Sequence, residues 1–180
     1  MKKLDYFLQK WRTRKAQKWI PKNARLLDIG CANAPLKETQ DLSFYVGVDP
    51  DIQGAQLSET KHLISGKLDL QKLPLKNFDC VTMLAVWEHL SPDEQSQILS
   101  QISQVLPTKG KIILSIPSPA VDRIIDTLKA LKILDGMKDD EHHGFQIQDT
   151  QPLFEKKGYA LISHESFQLG LNHLFVFEKK

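Results

Sequence analysis

Two acidic residues stand at the ends of apolar runs, where their side chains could contact a ligand. Asp28 lies in the run from Arg25 to Ile29, just before a turn of small residues, and Asp49 ends the next run, nineteen residues after Gly30. If both runs are parallel strands, their carboxyl ends meet at the sheet edge where open α/β folds bind ligands. The turn would add backbone N–H groups, and Asp49 could accept both hydroxyls of a ribose. This pair predicts a nucleoside-type ligand.

The turn after the first run discriminates between two such ligands, a nicotinamide dinucleotide and S-adenosylmethionine. A pyrophosphate needs a glycine-rich turn for close approach and a helix N-terminus to receive it. Here residues 30 to 35 read Gly-Cys-Ala-Asn-Ala-Pro, so the Gly-x-Gly-x-x-Gly pattern is missing. A dinucleotide is therefore disfavoured.

Alternating apolar runs and helix signals predict the elements that position these residues. Strands are predicted over 25–29, 44–48, 62–68, 78–84 and 111–116, with a terminal hairpin of 159–167 and 171–178. One helix begins at Ser91, with Pro92 at its first position and Glu94 completing a capping box. Further helices are predicted after Pro119 and over 150–157. The pattern predicts an open, mostly parallel sheet with helices on both faces and a hairpin at its end.

Length and composition indicate one soluble globular domain over residues 1–180. The chain has 180 residues, of which 41% are hydrophobic and 26% charged. Its apolar runs are far shorter than the roughly 18 residues of a membrane span, and no secretory signal precedes the first strand. Two cysteines, Cys31 and Cys80, are interpreted as free thiols in a reducing compartment. We therefore expect a cytoplasmic protein without a membrane span.

Positive charge is concentrated at the amino end of the chain. Residues 1 to 25 contain nine Lys or Arg and one acidic residue, Asp5, whereas the whole chain has a net charge of only +2. Apolar residues recur among these charges at helical spacing, namely Leu4, Phe7, Leu8, Trp11, Ala16, Trp19 and Ile20. They predict a basic amphipathic helix over residues 1–22. Packing on the body is the main interpretation of this helix, and an anion-binding face is the alternative.

Four motifs in order resemble those of the class I S-adenosylmethionine-dependent methyltransferases, in particular small enzymes of the ubiquinone-biosynthesis-like type. Leu-Asp-Ile-Gly-Cys at 27–31 resembles the first motif and Val-Gly-Val-Asp-Pro at 46–50 the second. Asp69-Leu70 resembles the third motif, and residues 78–90 resemble the fourth. The resemblance covers nearly the whole chain from residue 25. It implies an α/β fold with a Rossmann-like, doubly wound, seven-stranded sheet that is mostly parallel, with an antiparallel last strand and helices on both faces.

The resemblance also implies how S-adenosyl-L-methionine would bind along the first two strands. Asp28 and the backbone of Gly30 and Cys31 would contact the amino-acid end of this cofactor. Asp49 would take the ribose hydroxyls, and Pro50 would lie beside the adenine.

Two further strand ends would complete the cofactor site. Asp69 would meet the adenine amino group and Leu70 the adenine face, while Leu84 would lie under the methionine portion through its backbone. Ala32, also assigned to the site, and Ala34 replace the second and third glycines of the usual turn. A β-carbon at Ala32 opposes a conformation or an approach that glycine permits.

Methyl transfer is an in-line displacement on a sulfonium, so the enzyme mainly positions donor and acceptor. A hydroxyl or protonated amine acceptor also needs a base, and histidine titrates near neutrality. The catalytic candidates are His89, after the fourth strand, and His143, next to His142 in a polar loop over 135–148 that we interpret as the acceptor site. The acidic residues of this loop are interpreted as solvated charge, and no metal site is predicted.

A small-molecule or glycan-intermediate acceptor is favoured over nucleic acid. No RNA-binding domain accompanies the fold, the net charge is only +2, and residues 84–87 read Leu-Ala-Val-Trp in place of an Asn-Pro-Pro-aromatic signature. The alternatives left open are an RNA or protein methyltransferase, a non-catalytic S-adenosylmethionine-binding protein and an NAD-dependent oxidoreductase.

Overall fold

The computed structural model describes residues 3–38, 41–54, 56–118 and 146–180. The helices are α1 (Lys3–Gln17), α2 (Pro92–Val105) and α3 (Thr150–Lys156), and short 3₁₀ turns cover Trp87–His89 and Ile147–Asp149. The strands are β1 (Ala24–Ile29), β2 (Leu42–Asp49), β3 (Gln56–Leu57), β4 (Lys61–Ser65), β5 (Cys80–Leu84), β6 (Lys111–Pro117), β7 (Tyr159–Phe167) and β8 (Asn172–Lys179).

The described strands form one mixed sheet in the order β3-β4-β2-β1-β5-β6-β8-β7. The five strands from β4 to β6 are parallel, and β8 runs antiparallel to both β6 and β7. This confirms the predicted α/β fold with a mostly parallel sheet. The count of seven strands is one too low, because β3 pairs antiparallel with β4 at the sheet edge. Its residues, Gln56 and Leu57, are both exposed and give no apolar run that would predict a strand.

Alternating residues of the central strands point to opposite faces of the sheet and build two cores. One core joins Leu27 and Val81 of the sheet to Leu99 and Ile102 of α2 and to Phe154 of α3. The other core joins Leu26 and Cys80 to Ala16 at the end of α1. Helices on both faces are therefore confirmed, and both cysteines are free and buried.

The start of α2 is confirmed in atomic detail. The Ser91 hydroxyl accepts a hydrogen bond from the backbone N–H of Glu94 at 3.4 Å, and the Glu94 carboxylate accepts one from the N–H of Ser91 at 3.0 Å. This capping box satisfies two of the helix's unpaired donors. The side-chain amide of Gln95 donates to the carbonyls of Trp87 and Leu90, each at 3.2 Å, and holds α2 against the turn that follows β5.

Some predicted boundaries are wrong. The strand predicted over 62–68 ends at Ser65, because Gly66 turns the chain with a φ of +115°. Asp69 therefore lies in a turn beyond the strand. The strand predicted from residue 78 begins at Cys80, because Asp79 forms an ion pair with Arg25 at 2.7 Å. The alternation of strands and helices is also less complete than predicted, since the described parts of the β1–β2 and β2–β4 connections contain no helix.

The first helix differs from its prediction in length and in orientation. It ends at Gln17 and not at residue 22, and Phe7 and Trp11, predicted to lie on its apolar face, are exposed. The helix predicted after Pro119 and most of the 135–148 loop, with His142 and His143, lie outside the described residues. No helix in the described ranges is long and apolar enough to cross a membrane.

Candidate functional site

A cavity of about 370 Å³ opens at the carboxyl edge of the central parallel strands. Asp28, Asp49 and Leu84 line it from the ends of β1, β2 and β5, together with the turns that follow these strands. Another wall is formed by α1, through Gln9, Arg12 and Thr13. The three strand ends and one helix face therefore converge on a single concave site.

Asp28 lies at the buried side of this cavity and is only 2% exposed. Its carboxylate accepts hydrogen bonds from the Tyr45 hydroxyl at 2.8 Å and from Thr82 Oγ1 at 2.6 Å. Burial raises the pKa of Asp28 to about 6; the two hydrogen bonds oppose this shift, and the nearby charge of Asp49 adds to it. A cation in the cavity would favour the ionised carboxylate.

Asp49 connects the turns that follow β1 and β2. Its Oδ2 accepts a hydrogen bond from the N–H of Ala32 at 2.7 Å, and its Oδ1 accepts one from the N–H of Asp51 at 2.8 Å. Each carboxylate oxygen has a second lone pair that can accept another donor. Asp49 can therefore hold the two turns together and still accept two ligand hydroxyls.

The turn after β1 uses its N–H groups within the fold. The N–H groups of Gly30 and Cys31 donate to the carbonyl of Val48 at 2.8 and 3.4 Å, and the N–H of Ala32 donates to Asp49. We expected these donors to face a ligand, but the sharp turn directs them to the neighbouring strand. They form no nest for a pyrophosphate.

Carboxylates give the cavity its character. Asp28, Asp49 and Asp51 all line it, and among the described residues the basic side chains in the lining are those of Arg12 and His89. Such a site suits a ligand that carries positive charge and hydroxyl groups, because these pair with carboxylate oxygens.

Two glycines allow the strand ends to approach each other this closely. A β-carbon at Gly30, which has a φ of +70°, would lie 2.2 Å from Val86 Cγ2. A β-carbon at Gly47 would lie 2.7 Å from Cys31 Sγ and 2.9 Å from the Tyr45 hydroxyl. Burial raises the pKa of the Cys31 thiol to about 12, so the thiol stays protonated and acts as a packing group.

The structure brings most of the predicted site residues together. The cavity is lined by seven of the nine predicted cofactor residues, Asp28, Gly30, Cys31, Ala32, Asp49, Pro50 and Leu84, and by His89. His89 Nε2 lies 3.7 Å from the buried Glu88 carboxylate. His143 lies outside the described residues.

Asp69 and Leu70 are not in the lining of this cavity. The Asp69 carboxylate accepts a hydrogen bond from the N–H of Gln71 at 2.9 Å and lies 3.9 Å from Lys72. Leu70 packs at the border of the core on the α2 side. Both residues therefore have local structural contacts.

The sequence did not predict that α1 forms part of the cavity wall. Gln9 and Thr13 are four residues apart, so their shared helix face was predictable. Nothing in the sequence shows that this face lies against the turn after β1, where Gln9 Nε2 donates to Asn33 Oδ1 at 2.8 Å.

Comparison with protein families finds a match over residues 2–164 to a family described as a methyltransferase domain. No match was found among curated proteins. The family match spans well over half of the chain, including β1 to β6 and the cavity they form.

Solved structures of low sequence identity share this fold. A TehB-like S-adenosylmethionine-dependent methyltransferase from Corynebacterium glutamicum is similar with a TM-score of 0.64 at 16% identity, over 98% of this chain and 97% of that one. The 1,6-didemethyltoxoflavin-N1-methyltransferase from Burkholderia thailandensis is similar with a TM-score of 0.69 at 15% identity, over 98% of this chain and 81% of that one. The putative methyltransferase in complex with the Trm112 activator from Haloferax volcanii has a TM-score of 0.66 at 14% identity, over 93% of this chain and 89% of that one.

These likenesses agree on the architecture of the sheet, and the family match assigns the chemistry. The matched residues 2–164 include all four sequence motifs and β1, β2 and β5, whose carboxyl ends line the cavity. The chain therefore belongs to the methyltransferase domain family, within the class I S-adenosylmethionine-dependent methyltransferases.

Proposed function

We propose that this protein transfers a methyl group from S-adenosylmethionine to a small-molecule or glycan-intermediate acceptor, and that the cavity at the carboxyl edge of β1, β2 and β5 holds the cofactor. One observation carries the assignment of the cavity. Three carboxylates line it, while the N–H groups of residues 30 to 32 are engaged within the fold. When bound, the cofactor supplies a methyl group on a positively charged sulfonium.

The residues present fit this cofactor. Asp49 keeps one lone pair on each oxygen and accepts the two ribose hydroxyls without giving up its bonds to Ala32 and Asp51. Asp28 places a carboxylate on the side of the cavity where the cofactor's ammonium group would lie, and that cation favours the ionised form of Asp28. A dinucleotide would instead bring a pyrophosphate against the same carboxylates.

The turn after β5 forms a wall of the cavity, where the methionine portion of the cofactor would lie. Ala85 has a φ of +58°, and its N–H donates to the carbonyl of Ser115 at 2.8 Å. This bond fixes the path of the chain after Leu84. The backbone of Leu84 is therefore held in a defined position at the wall of the cavity, as its proposed role requires.

The adenine end of the proposal involves Pro50, Asp69 and Leu70. Pro50 lines the cavity, whereas Asp69 and Leu70 lie beyond its lining. Variants of Asp69 therefore test the part of the site that rests on the sequence resemblance alone.

The acceptor would enter between α1 and the turn after β5. Gln9, Arg12 and Thr13 face the cavity from α1, and His89 faces it from the 3₁₀ turn after β5. His89 is the candidate base within the described residues, and His143 is the candidate from the 135–148 loop. Because α1 closes one side of the cavity that the cofactor would occupy, access from this side suits a small acceptor or the end group of a glycan.

Isothermal titration calorimetry with S-adenosylmethionine, S-adenosylhomocysteine and NAD tests the cofactor assignment. We expect the first two to bind and NAD not to bind. Asp49→Ala should weaken cofactor binding at least tenfold, because a hydrogen bond to a charged group contributes about 1.5–3 kcal/mol. The exposed Asp93→Ala in α2 is the control and should bind as the wild type does. Preferential NAD binding, or unchanged affinity of Asp49→Ala, would refute the assignment.

The acceptor class is tested by transfer of labelled methyl groups to cell extracts fractionated into RNA, protein and small molecules. We expect label in the small-molecule fraction. Label in the RNA or protein fraction contradicts the proposed acceptor, and cofactor binding without transfer to any fraction indicates a non-catalytic binder.

A further inference from the structure

Exposed apolar side chains gather on one surface formed by α1 and the turn between β7 and β8, which we call the α1 surface. It carries Phe7 and Trp11, which are 56% and 37% exposed, and Leu169, which is 99% exposed; Tyr6, which is 53% exposed, lies beside it on α1, on the side of Gln9 and Asn33. Among the described residues only two other large apolar side chains are exposed, Leu57 and Ile162. Such clustering on one side of a soluble domain marks an interaction site.

The turn and the helix are in direct contact. Gln168 Nε2 donates a hydrogen bond to the carbonyl of Leu8 at 3.2 Å, and the rings of Trp11 and Phe167 are 6.4 Å apart. Leu169 follows in the turn with a φ of +58°. Leu169 therefore belongs to the turn that contacts α1, and its side chain is almost fully exposed there.

Basic residues alternate with these aromatic residues on the helix. Lys10, Trp11, Arg14 and Lys18 each lie three or four residues from another of these residues or from Phe7, so they share one face of the helix and line a groove of about 540 Å³. Within the described ranges, Lys10 and Arg14 form no ion pair.

The charge of the whole chain has a matching asymmetry. Residues 1 to 25 have a net charge of +8, and the remainder sums to −6. An anionic partner would therefore be attracted to this end of the molecule and repelled by the remainder.

We propose that the α1 surface binds the anionic surface of a lipid bilayer. A helix with basic and aromatic residues on one face lies in the plane of a lipid interface, where the rings enter the headgroup region and the cations pair with anionic lipids. A fully exposed leucine at a turn tip adds apolar area for insertion. Single-stranded RNA would also use the rings and the cations, but it would give Leu169 no role.

The same helix joins this surface to the cavity. Gln9 and Thr13 face the cavity, whereas Lys10, Trp11 and Arg14 face outward. Binding to a bilayer would hold the cavity entrance beside α1 close to the lipid surface. The acceptor of the proposed methyl transfer would then be a molecule carried at that surface. This last step rests on the proposed function, whereas binding to vesicles is independent of it.

Flotation with vesicles tests the proposal directly, using phosphatidylglycerol mixed with phosphatidylcholine against phosphatidylcholine alone. We expect binding to the anionic vesicles and at least tenfold weaker binding to the neutral ones. Leu169→Asn should weaken binding to anionic vesicles at least tenfold, because insertion of a leucine removes a full apolar side chain from water. Lys10→Gln should weaken binding to anionic vesicles about fivefold, since each basic residue near an anionic surface contributes about 1 kcal/mol to binding.

Matched controls remove the same groups elsewhere. Leu57→Asn takes an exposed leucine from β3 at the opposite sheet edge, and Lys156→Gln takes an exposed lysine from α3. Both should bind vesicles as the wild type does. Because Leu169 and Leu57 make little contact with the fold, circular dichroism should show unchanged folding for both variants.

Quenching of Trp11 fluorescence by brominated lipids provides a second measurement. The wild type should be quenched by anionic brominated vesicles, and Trp11→Phe should lose most of this response, because Trp87 is buried and Trp19 is half-buried.

Several results would overturn the proposal. The proposal fails if the wild type does not bind anionic vesicles, or if Leu169→Asn and Leu57→Asn lose vesicle affinity equally. A single-stranded oligoribonucleotide that binds more tightly than vesicles, with no effect of Leu169→Asn, would identify a nucleic-acid surface instead. A wild-type dimer that Leu169→Asn converts to a monomer in sedimentation velocity would identify a subunit interface. Vesicle binding without any methyl transfer would leave this proposal standing and count against the proposed function.

Discussion

Replacing Gly30 by alanine tests whether the close contact between two strand-end turns sets the shape of the cavity. The new β-carbon would lie 2.2 Å from Val86 Cγ2 and 3.3 Å from Val86 Cβ and Cγ1. Valine is stiff about χ1, so rotation of this side chain exchanges one methyl contact for another. The turn after β1 and the turn after β5 must therefore move apart.

The structure gives two contributions to the loss of stability. Gly30 has a φ of +70°, and a left-handed conformation costs an alanine roughly 1–2 kcal/mol. Overpacking against Val86 adds about 1–3 kcal/mol. Gly54 has a φ of +77°, and a β-carbon there would meet no atom within 4 Å. Gly54→Ala therefore carries the conformational cost without the contact, and Gly30→Ala should be about 1–3 kcal/mol less stable than this control.

Urea unfolding of the cofactor-free protein measures this difference, and a double-mutant cycle assigns its cause. In Gly30→Ala/Val86→Ala the opposing methyl groups are gone, so the double variant should recover about 1–2 kcal/mol relative to the sum of the single variants. Equal losses in Gly30→Ala and Gly54→Ala, or strict additivity with Val86→Ala, would show that the contact does not constrain the turn.

Three further perturbations address the carboxylate, the turn and the acceptor loop. The pKa of Asp28 is raised to about 6, so the native state holds a proton that the unfolded state has lost, and stability should fall as pH rises from about 4 to about 6, by up to about 3 kcal/mol. Asp28→Asn should lack this contribution in urea unfolding across that range; equal pH dependence of the wild type and Asp28→Asn contradicts the burial argument. Ala32→Gly should gain up to about 1 kcal/mol in thermal unfolding, because Ala32 has a φ of +46°; a loss would mean that no strain is stored there. His143→Ala should lower turnover while cofactor affinity stays within about threefold, and joint loss of both would assign the histidine to the fold.

The strands that carry the cavity were predictable because they are buried on both faces. Continuous apolar runs end at Asp28 and Ile29 in β1 and at Asp49 in β2, so the run and its polar end were both visible in the sequence. The two exposed residues of β3 had no such signal. The use of the turn's N–H groups was also invisible, because it depends on how closely β2 lies beside the turn.

The first helix shows a different limit of pattern reasoning. Its periodicity predicted a helix, but it did not show which apolar residues the body would cover. Thr13 and Ala16 are buried against the sheet side, whereas Phe7 and Trp11 are exposed. Small side chains permit close packing of the helix on the strand ends, and the large rings are left on the outer face. The large apolar rings of Phe7 and Trp11 predicted burial, but the close packing of the small residues leaves these rings exposed.

Ala32 and Ala34 occupy positions in the turn after β1 where the resemblance predicts glycine. Both adopt positive φ angles, and hydrogen bonds hold each of them: the N–H of Ala32 donates to Asp49 at 2.7 Å, and the N–H of Ala34 donates to the carbonyl of Cys31 at 2.7 Å. The steric requirement for glycine falls on Gly30, where a β-carbon would strike Val86. A pyrophosphate would need free N–H groups from this turn, whereas a cationic ligand with a ribose needs the carboxylates that the turn helps to fix. The alanines therefore cost conformational energy and leave the ligand preference of the cavity intact.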